Sequence, residues 1–490
     1  SYAGSGANLT GIGLSIAPLI YNPDVNDSQV SKSTGIGLTF NQRVFAGTGN
    51  VTLSLVSVGS TLVENFSVGS SVTYNNDADP PNITINPTAD LSLNTQYAIS
   101  YPSGAFIKNT GAGSSFVGTA YTFAVRGYQN NLWLWGRNNR GQLGQNNETD
   151  YSSPVQVPGV WNEVSKSEDR TGISLVTKTD GTLWAWGNNN IGQLAQNNVI
   201  IRSSPVQIPG TTWNSTTGSR GSGFMGVKTD GTLWVWGSNE SGQLGQNQAP
   251  GSLAYTSSPV QVPGTTWGAS RTKISGGGGN TRAAIKTDGT LWIWGQNEKG
   301  QLGLNEVEAT QRSSPTQIPG TTWSTTSGSY RTNTAIKTDG TLWTWGWNSS
   351  GKLGTNQGPG QLDGNSSPVQ VPGTTWSKSY VGPYHTVALK TNGTLWTWGA
   401  SNHGQLGQNS LVYISSPVQV PGTWSSIATH DGGVMATKAD NTLWAWGENE
   451  KGQLGQNNTT NYSSPVQVPG TWSLLEIFGG SKFVAAMKQV

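Results

Sequence analysis

Hydrophobic residues follow a repeating pattern over the last three quarters of the chain. The pattern Leu-Trp-x-Trp-Gly, in which x varies, recurs about every 50 residues. Such a period is typical of propellers, solenoids and other arrays whose small units bury their faces only by stacking on their neighbours. The seven copies occupy residues 132–136, 183–187, 233–237, 291–295, 342–346, 395–399 and 443–447.

One repeat, read from residue 178 to residue 227, predicts a small antiparallel sheet. Asp180-Gly181 predicts a two-residue hairpin turn of type I′, whose residues need positive φ angles. The strand Leu183–Trp186 follows and is apolar on both faces, which is expected between two neighbouring sheets. The segment 203–210 predicts a short strand with a proline near each end. Because proline cannot donate to a sheet ladder, we place this strand at the outer edge.

The two ends of the repeat region each supply half of a hairpin. The last repeat stops at residues 483–490, where the turn is due, and the first repeat begins at 129–132, just after it. Pairing of the two halves would remove both sheet edges, which otherwise invite aggregation. We therefore expect an all-β chain whose second part is a seven-bladed β-propeller closed by the C-terminal strand.

The first 125 residues lack tryptophan and show a different pattern. Apolar residues alternate with polar ones in short stretches separated by Gly, Pro, Asn and Asp, which predicts an antiparallel sandwich. The length of residues 21–125 suits an immunoglobulin-like domain. We expect residues 1–20 to be an arm or linker and the propeller to span 126–490, entered through the hinge 126–128. The alternating stretches are Ile36–Phe40, Val51–Leu55, Ile83–Ile85, Tyr97–Tyr101 and Tyr121–Val125.

Two resemblances to known families follow from these residues. The segment 128–490 resembles the regulator of chromosome condensation repeat family, as in Trp-Gly-Asn-Asn-Asn-Ile-Gly-Gln-Leu at 186–194. That resemblance implies a seven-bladed propeller in a family that includes a nucleotide exchange factor for a nuclear GTPase and a secreted β-lactamase inhibitor. The family's Gly-Gly-x-x-His survives only as Gly382-Pro383-Tyr384-His385, and no basic face is evident, so we rank exchange-factor activity low.

The first domain resembles bacterial Ig-like domains of the surface-layer and adhesin type, which implies a spacer or adhesive module. The residues that carry this resemblance are 35–44, 47–53, 83–87, 93–97 and 107–109.

Composition narrows the class of function. Charged residues make up 11% of the chain, with Lys+Arg 27 against Asp+Glu 25. Nucleic-acid and membrane-surface binding require a basic field, so we expect neither partner. Cysteine is absent, which removes disulfides and thiolate chemistry. No apolar run is long enough to span a bilayer, and we recognise no signal peptide at the start.

Candidate chemistry is sparse. Tryptophan repeats in equivalent positions of every unit, so we interpret it as packing and not as sugar platforms. His385, His403 and His430 lack metal-ligand spacing, and we interpret them as structural or solvated. The repeated Asp residues fit the hairpin turns, and Asn392 replaces one of them. We therefore expect no enzyme activity, no cofactor and no metal. The expected blade-core tryptophans are Trp133, Trp135, Trp184, Trp186, Trp234, Trp236, Trp292, Trp294, Trp343, Trp345, Trp396, Trp398, Trp444 and Trp446.

Loop length distinguishes the repeats from one another. The connection before each Ser-Ser-Pro is equal in repeats one, two, six and seven and differs at 246–256, 304–312 and 355–365. Function on repeat scaffolds often lies in such insertions, although lengths can also drift without selection. Trp347 is the one tryptophan outside the repeated positions. We take as a candidate binding face Leu253, Tyr255, Val307, Trp347, Leu362 and Asp363.

These observations favour a non-enzymatic binding or structural protein that acts outside a bacterial cell. We expect a phage virion appendage or tail-fibre component, with the propeller as recognition head and a protein or cell-surface glycan as ligand. The N-terminal domain would attach to virion or cell-surface proteins. The alternatives are a bacterial surface adhesin and a secreted protein-binding inhibitor.

Overall fold

The structure is a computed structural model of the 490-residue chain. It divides into two compact units, residues 1–128 and 129–490, each described here by itself. The predicted hinge 126–128 and most of the predicted arm, residues 1–17, lie outside the described residues. The described residues are 18–20, 29–30, 36–39, 44–55, 62–76, 82–88, 91–92, 95–108, 119–125, 130–167, 172–218, 223–248, 253–277, 279–306, 310–358, 364–470, 472, 477–479 and 482–489.

In its described residues, the first unit contains the strands β1 (Pro18–Ile20), β2 (Gln29–Val30), β3 (Ile36–Thr39), β4 (Val44–Ala46), β5 (Asn50–Leu55), β6 (Leu62–Ser67), β7 (Val72–Asn75), β8 (Asn82–Ile85), β9 (Leu91–Ser92), β10 (Thr95–Tyr101), β11 (Phe106–Lys108) and β12 (Thr119–Val125). They form two four-stranded sheets, ordered β1-β3-β8-β7 and β12-β10-β5-β6, and the two-stranded pairs β2-β9 and β4-β11. The buried core draws side chains from both larger sheets, among them Leu53 and Ile99 from one and Ile83 and Ile85 from the other. Two antiparallel sheets around one core form the predicted sandwich.

The second unit contains seven sheets of four or five strands in its described residues. We number them 1 to 7 after the repeat whose Leu-Trp strand each contains. Sheet 1 holds β13 (Asn130–Gly136), β14 (Tyr151–Trp161), β40 (Ile477–Gly479) and β41 (Phe483–Gln489). Sheet 2 holds β15 (Glu163–Val164), β17 (Ile173–Thr177), β18 (Leu183–Gly187) and β19 (Arg202–Ile208). Sheet 3 holds β16 (Lys166–Ser167), β20 (Trp213–Gly218), β21 (Gly223–Lys228), β22 (Leu233–Ser238) and β23 (Tyr255–Val262).

The remaining sheets repeat the same order of strands, and each ends on the strand that carries Ser-Ser-Pro, as the sequence predicted. Sheet 4 holds β24 (Ile274–Ser275), β25 (Thr281–Ile285), β26 (Leu291–Gly295) and β27 (Arg312–Ile318). Sheet 5 holds β28 (Trp323–Ser329), β29 (Thr332–Lys337), β30 (Leu342–Trp347) and β31 (Gly364–Gln370). Sheet 6 holds β32 (Trp376–Val381), β33 (His385–Lys390), β34 (Leu395–Gly399) and β35 (Ile414–Val420). Sheet 7 holds β36 (Ser426–His430), β37 (Gly433–Thr437), β38 (Leu443–Gly447) and β39 (Tyr462–Val468).

In sheets 2 to 7, the hairpin before the Leu-Trp strand differs from the predicted two-residue type I′ turn. Gly181 N–H donates to the carbonyl of Lys178, and Lys178 N–H donates to the carbonyl of Thr182. This is a three-residue loop with a type I turn followed by a glycine bulge. Only Gly181, at φ 76°, has a positive φ; Asp180 does not. The prediction was wrong because Asp180 supplies acceptors for the turn and not a left-handed backbone.

The aspartate of each hairpin fixes the strand that follows it. Asp180 Oδ1 accepts hydrogen bonds from the backbone N–H and the hydroxyl of Thr182, and that hydroxyl accepts one from Trp184 Nε1. These bonds hold the pKa of Asp180 below its ordinary value. Asn392 makes the same pair of bonds with Thr394. The expected turn role of these residues is therefore confirmed.

One hydrogen bond links each sheet to the preceding repeat. The second tryptophan of each Leu-Trp-x-Trp-Gly donates its Nε1–H to a backbone carbonyl in the Gly-Gln-Leu or Gly-Lys-Leu turn before it. Trp135 in sheet 1 bonds in this way to Gln453, which belongs to the last repeat. The other six bonds join Trp186 to Gln142, Trp236 to Gln193, Trp294 to Gln243, Trp345 to Gln301, Trp398 to Lys352 and Trp446 to Gln405.

The C-terminal strand belongs to sheet 1. β41 pairs antiparallel with β13 over seven residues, from Gln489 opposite Asn130 to Phe483 opposite Gly136. A core cluster spans sheets 1 and 7 and contains Trp135, Met435 and Val484. First and last repeats are therefore packed together in this unit. No helix occurs in the described residues, so none there has the length and apolarity to cross a membrane.

Candidate functional site

The exposed apolar side chains of the second unit lie in one kind of loop. Within its described residues, all eight strongly exposed large hydrophobic side chains fall in three segments that precede an outer strand. We call 199–201, 253–255 and 411–413 the rim segments. Isolated exposed apolar residues are ordinary, but confinement to equivalent loops of a repeat protein marks a candidate contact surface. The eight residues are Val199, Ile200, Ile201, Leu253, Tyr255, Leu411, Val412 and Tyr413.

A polar turn holds the rim loop of repeat two. Buried Asn189 donates from Nδ2 to the carbonyls of Asn198 and Ile200, and its Oδ1 accepts the N–H of Leu194. Asn197 N–H donates to the carbonyl of Ser257 in the next sheet. Because the loop backbone is bonded on both sides, the side chains at 199–201 lie in solvent.

The same loop backbone carries polar residues in repeats one and seven. Thr149 N–H and Thr460 N–H each bond to an asparagine side chain, as Ile200 N–H does with Asn198. The difference between apolar and polar rims therefore lies in the side chains alone. The polar counterparts of Val199-Ile200-Ile201 are Glu148-Thr149-Asp150 and Thr459-Thr460-Asn461.

The rim segments lie at one end of the sheets. Tyr255 begins β23 and pairs with Ser238, the last residue of the Leu-Trp strand β22. Trp347 is likewise the last residue of β30 and pairs with Gly364. Both therefore lie at the end where the Leu-Trp strands finish, which we call the rim end. The Asp-Gly turns lie at the opposite end, which we call the hairpin end.

The structure places the predicted binding residues in three different situations. Leu253 and Tyr255 are exposed at 41% and 40%, in sheet 3. Val307, Leu362 and Asp363 lie outside the described residues. Trp347 belongs to sheet 5 and is half-buried, so the structure does not bring it together with Leu253 and Tyr255 in one sheet.

Trp347 belongs to an aromatic cluster around a buried lysine. Its ring packs edge-on against Tyr330 at 5.1 Å, and Tyr330 packs against Tyr384 at 5.8 Å. Lys352 Nζ lies 5.5 Å from the Trp347 ring and donates to the carbonyls of Tyr330 and Pro383. Tyr330 also has a positive φ of 37°. The ring of Trp347 is therefore partly engaged within its own sheet.

The repeated tryptophans divide into two environments. The second tryptophan of each pair, such as Trp186, is fully buried. The first is only half-buried. In sheets 2 to 7 its Nε1 donates at the hairpin end to a threonine hydroxyl, as Trp184 does to Thr182, and a lysine ammonium lies against its ring, as Lys178 Nζ does 4.2 Å from the Trp184 ring. The half-buried tryptophans are Trp133, Trp184, Trp234, Trp292, Trp343, Trp396 and Trp444.

Two of the three histidines are buried in the second unit. Burial lowers the pKa of His385 and of His430 to about 3, so both rings are neutral at pH 7. Nearby Lys352 lowers the pKa of His385 further, and His385 lowers that of His430. His403 lies in a turn, where its N–H bonds to Gln405. Within the described ranges, no three His, Asp or Glu side chains are grouped to hold a metal ion.

The sequence reasoning missed two of the three rim segments. It compared loop lengths, and repeats two and six have connections of ordinary length. The available signal was composition: Val-Ile-Ile and Leu-Val-Tyr are apolar triplets inside otherwise polar loops. A search for consecutive apolar residues between turn signals would have found both.

Comparisons with known proteins agree with this architecture. The family described as regulator of chromosome condensation (RCC1) repeat matches residues 129–166, 180–217, 230–283, 288–327, 339–389 and 440–487, together more than half of the chain. A second model of the same description matches 380–405. Residues 17–125 match a bacterial Ig-like domain.

Similar curated proteins come from plants and animals. The chain is 29% identical over 348 residues to the RCC1 domain-containing protein RUG3, mitochondrial, of Arabidopsis thaliana, which covers 62% of this chain and 76% of that protein. It is 28% identical over 313 residues to the ultraviolet-B receptor UVR8 of Arabidopsis thaliana, covering 62% and 56%. It is 32% identical over 145 residues to human protein RCC2, covering 29% and 27%. The chain thus spans much less than the full length of the latter two relatives.

Solved structures with the same fold have lower sequence identity. Human WBSCR16 superposes with a TM-score of 0.62 at 16% identity, covering 73% of this chain and 98% of that one. Yeast RCC1 (Prp20) bound to Kap60 gives a TM-score of 0.63 at 16% identity, covering 74% and 89%. At this identity the likeness shows the fold alone. With a bacterial Ig-like domain before its repeats, the chain belongs to the regulator of chromosome condensation (RCC1) repeat family.

Proposed function

We propose that this protein is a non-enzymatic recognition protein that acts outside the cell, with the propeller as its binding head and the Ig-like domain as its spacer. The observation that carries the proposal is that, in the described residues of the propeller, the strongly exposed large apolar side chains are confined to the three rim segments. Apolar and tyrosine side chains surrounded by Asn, Ser and Gln match the core and margin of protein-binding surfaces. The ligand is therefore a protein partner at the rim end.

The propeller is proposed to be a closed ring of seven blades. Two features support closure: the pairing of β41 with β13, and the bond from Trp135 to Gln453 that repeats the other six inter-sheet bonds. A closed ring has no free sheet edge and gives the rim loops a rigid support. Rigid presentation reduces the entropic cost of binding.

The known behaviour of relatives is consistent with protein binding. One solved structure shows yeast RCC1 bound to Kap60, and another reports the binding of Prp20p to Gsp1p and histones. In the chain described here, the repeated aspartates are engaged in hairpin turns, as Asp180 and Asp230 show, which supports a non-catalytic role. Low charge and a bacterial Ig-like module favour a phage virion appendage or tail-fibre component. A bacterial surface adhesin or a secreted inhibitor is the second candidate.

The rim is tested by exchanging side chains between loops of the same backbone. Replacing 199–201 and 411–413 with the Thr-Thr-Asn of repeat seven removes six of the eight exposed apolar residues. The matched control places Thr-Thr-Asn at 148–150, where polar residues already stand. Labelled protein is applied to a panel of bacterial cells, with and without protease treatment of the cells. We expect the rim variant to lose at least tenfold in binding and the control to bind like the parent.

Two outcomes would count against this proposal. Undiminished binding by the rim variant would exclude the rim segments, and binding that survives protease treatment would exclude a protein ligand. Antibody labelling of intact phage particles and of bacterial surfaces distinguishes the virion component from the adhesin.

A further inference from the structure

Sheet 4 contains an insertion at the hairpin end. In sheet 7, Ile427 lies three positions after Trp424 and pairs with Ala436, which in turn pairs with Trp444 of the Leu-Trp strand. In sheet 4 the equivalent residue is Ile274, seven positions after Trp267. Sheets 2, 3, 5 and 6 all show the spacing of three. Residues 269–272 are therefore four extra residues in sheet 4.

The insertion has a defined backbone. Lys273 N–H donates to the carbonyl of Ser270, which closes a turn, and Thr326 N–H of the neighbouring sheet donates to the carbonyl of Thr272. The hydroxyls of Ser270 and Thr272 lie 3.0 Å apart. The inner strand of sheet 4 is the two-residue β24 (Ile274–Ser275). By contrast, β28 in sheet 5 has seven residues and begins directly at Trp323.

A cavity of about 540 Å³ that is largely open to solvent lies beside the insertion. Five hydroxyl side chains line it, with two lysines and one aspartate, and it lies between the hairpins of sheets 4 and 5. The lining comprises Gly268, Ala269, Ser270, Lys273, Lys286, Thr287, Asp288, Gly289, Thr321, Thr322, Trp323 and Thr338.

The charges of the cavity leave one cation without a counter-charge. Lys286 Nζ lies over the rings of Trp267 and Trp292, and it is near Asp288, as in the other hairpins. Lys273 is added by the altered backbone, and within the described part of the chain it has no carboxylate at ion-pair distance. Its partial burial lowers its pKa. The cavity thus combines a net positive charge with several hydroxyl donors and acceptors.

We propose that this cavity binds a small acidic saccharide, with Lys273 pairing with the ligand carboxylate and the Ser and Thr hydroxyls bonding to the sugar hydroxyls. Asp288, of which one oxygen is used by Thr290, is placed to accept from a further sugar hydroxyl. Trp267 and Trp323 are buried, so stacking on an open aromatic face contributes nothing. The site lies at the hairpin end, apart from the rim segments, and goes beyond the protein recognition proposed for them.

Calorimetric titration and saturation-transfer NMR with glucuronate, glucose and inorganic phosphate test this assignment on the full chain. Glucuronate is expected to bind at least tenfold more tightly than either of the other probes, because it alone satisfies both the cation and the hydroxyls. Lys273→Gln should weaken glucuronate binding at least tenfold. Thr338→Trp, at an exposed position of the lining, should block it by filling the opening.

Lys378→Gln is the matched control, since Lys378 is exposed on the inner strand of sheet 6, which lacks the insertion. It should bind glucuronate like the parent, and so should the rim variant. Absence of saturable glucuronate binding, phosphate binding of equal strength, or full binding by Lys273→Gln would each overturn the assignment. Loss of cell binding in the rim variant with intact glucuronate binding would support two separate sites.

Discussion

The contact between the first and last sheets provides the most direct test of the closed ring. Trp135 Nε1 donates to the carbonyl of Gln453 at 2.9 Å, and Trp446 Nε1 donates to that of Gln405 at 3.1 Å. Both indoles are fully buried, and each packs tilted against a second tryptophan at 5.5 Å or 5.7 Å. The two sites are thus nearly identical. They differ in that Gln453 is 318 residues from its partner, whereas Gln405 belongs to the adjacent repeat.

Replacing either tryptophan with phenylalanine removes the donor and part of the ring. A buried carbonyl left without a partner costs roughly 1–3 kcal/mol, and the smaller ring adds roughly 1 kcal/mol, so each change should cost about 2–4 kcal/mol. If the ring is closed, Trp135→Phe and Trp446→Phe lose equal stability. If the first and last sheets separate in solution, Trp135 is hydrated and its replacement costs well under 1 kcal/mol.

Urea unfolding followed by tryptophan fluorescence measures this difference. All 22 tryptophans lie in the second unit, so the signal reports the propeller and is silent on the Ig-like domain. A free energy change for Trp135→Phe below half that for Trp446→Phe would refute the closed ring. Deletion of 483–490 is a second test, because it should lower the unfolding midpoint more than either substitution.

Three further predictions follow from single side chains. Ala195 has a positive φ of 54° at a position where the other six repeats have glycine. Ala195→Gly should therefore raise the stability of the propeller in urea titrations by about 1 kcal/mol, whereas Gly144→Ala should lower it. A loss of stability with Ala195→Gly would show that the backbone of Ala195 is not strained. Asp180→Ala should lower the thermal midpoint by removing the oxygen Oδ1 that accepts two hydrogen bonds from Thr182, whereas Asp180→Asn should retain the fold at pH 7, as Asn392 does. Because the folded pKa of Asp180 is lowered, its contribution to stability is present at neutral pH and fades as the pH falls below about 4. His385 and His430 have folded pKa values of about 3 against 6.5 in the unfolded chain, so the unfolded chain binds more protons below pH 6.5. The free energy of unfolding should therefore fall from pH 6.5 to 4.5 by at most about 1.4 kcal/mol per pH unit for each ring, as measured by urea unfolding. His430→Phe should reduce this pH dependence, and an unchanged pH dependence would show that the ring is not responsible.

Much of the architecture was determined by the sequence itself. The period of Leu-Trp-x-Trp-Gly predicted small stacked sheets, because a strand that is apolar on both faces must lie between two sheets. The half-hairpins at residues 129–132 and 483–490 predicted that the first and last repeats pair. The prolines of Ser-Ser-Pro placed the outer strand, because a residue without N–H is tolerated at an edge. Alternation of apolar and polar residues predicted the antiparallel sandwich before residue 125. Each of these signals is carried by short stretches of sequence, so it can be read without the structure.

Tertiary structure decided the turn geometry and the candidate sites. Asp180 stabilises its hairpin through Thr182 and Trp184, a bond pattern that the dipeptide Asp-Gly does not reveal. Trp347 was predicted from the sequence to belong to the binding face, and the structure shows its ring packed against Tyr330 and near Lys352. The rim segments and the cavity beside Lys273 depend on which side chains the neighbouring sheets cover. The solvent exposure of a side chain depends on how the whole chain packs, so no single stretch of sequence determines it.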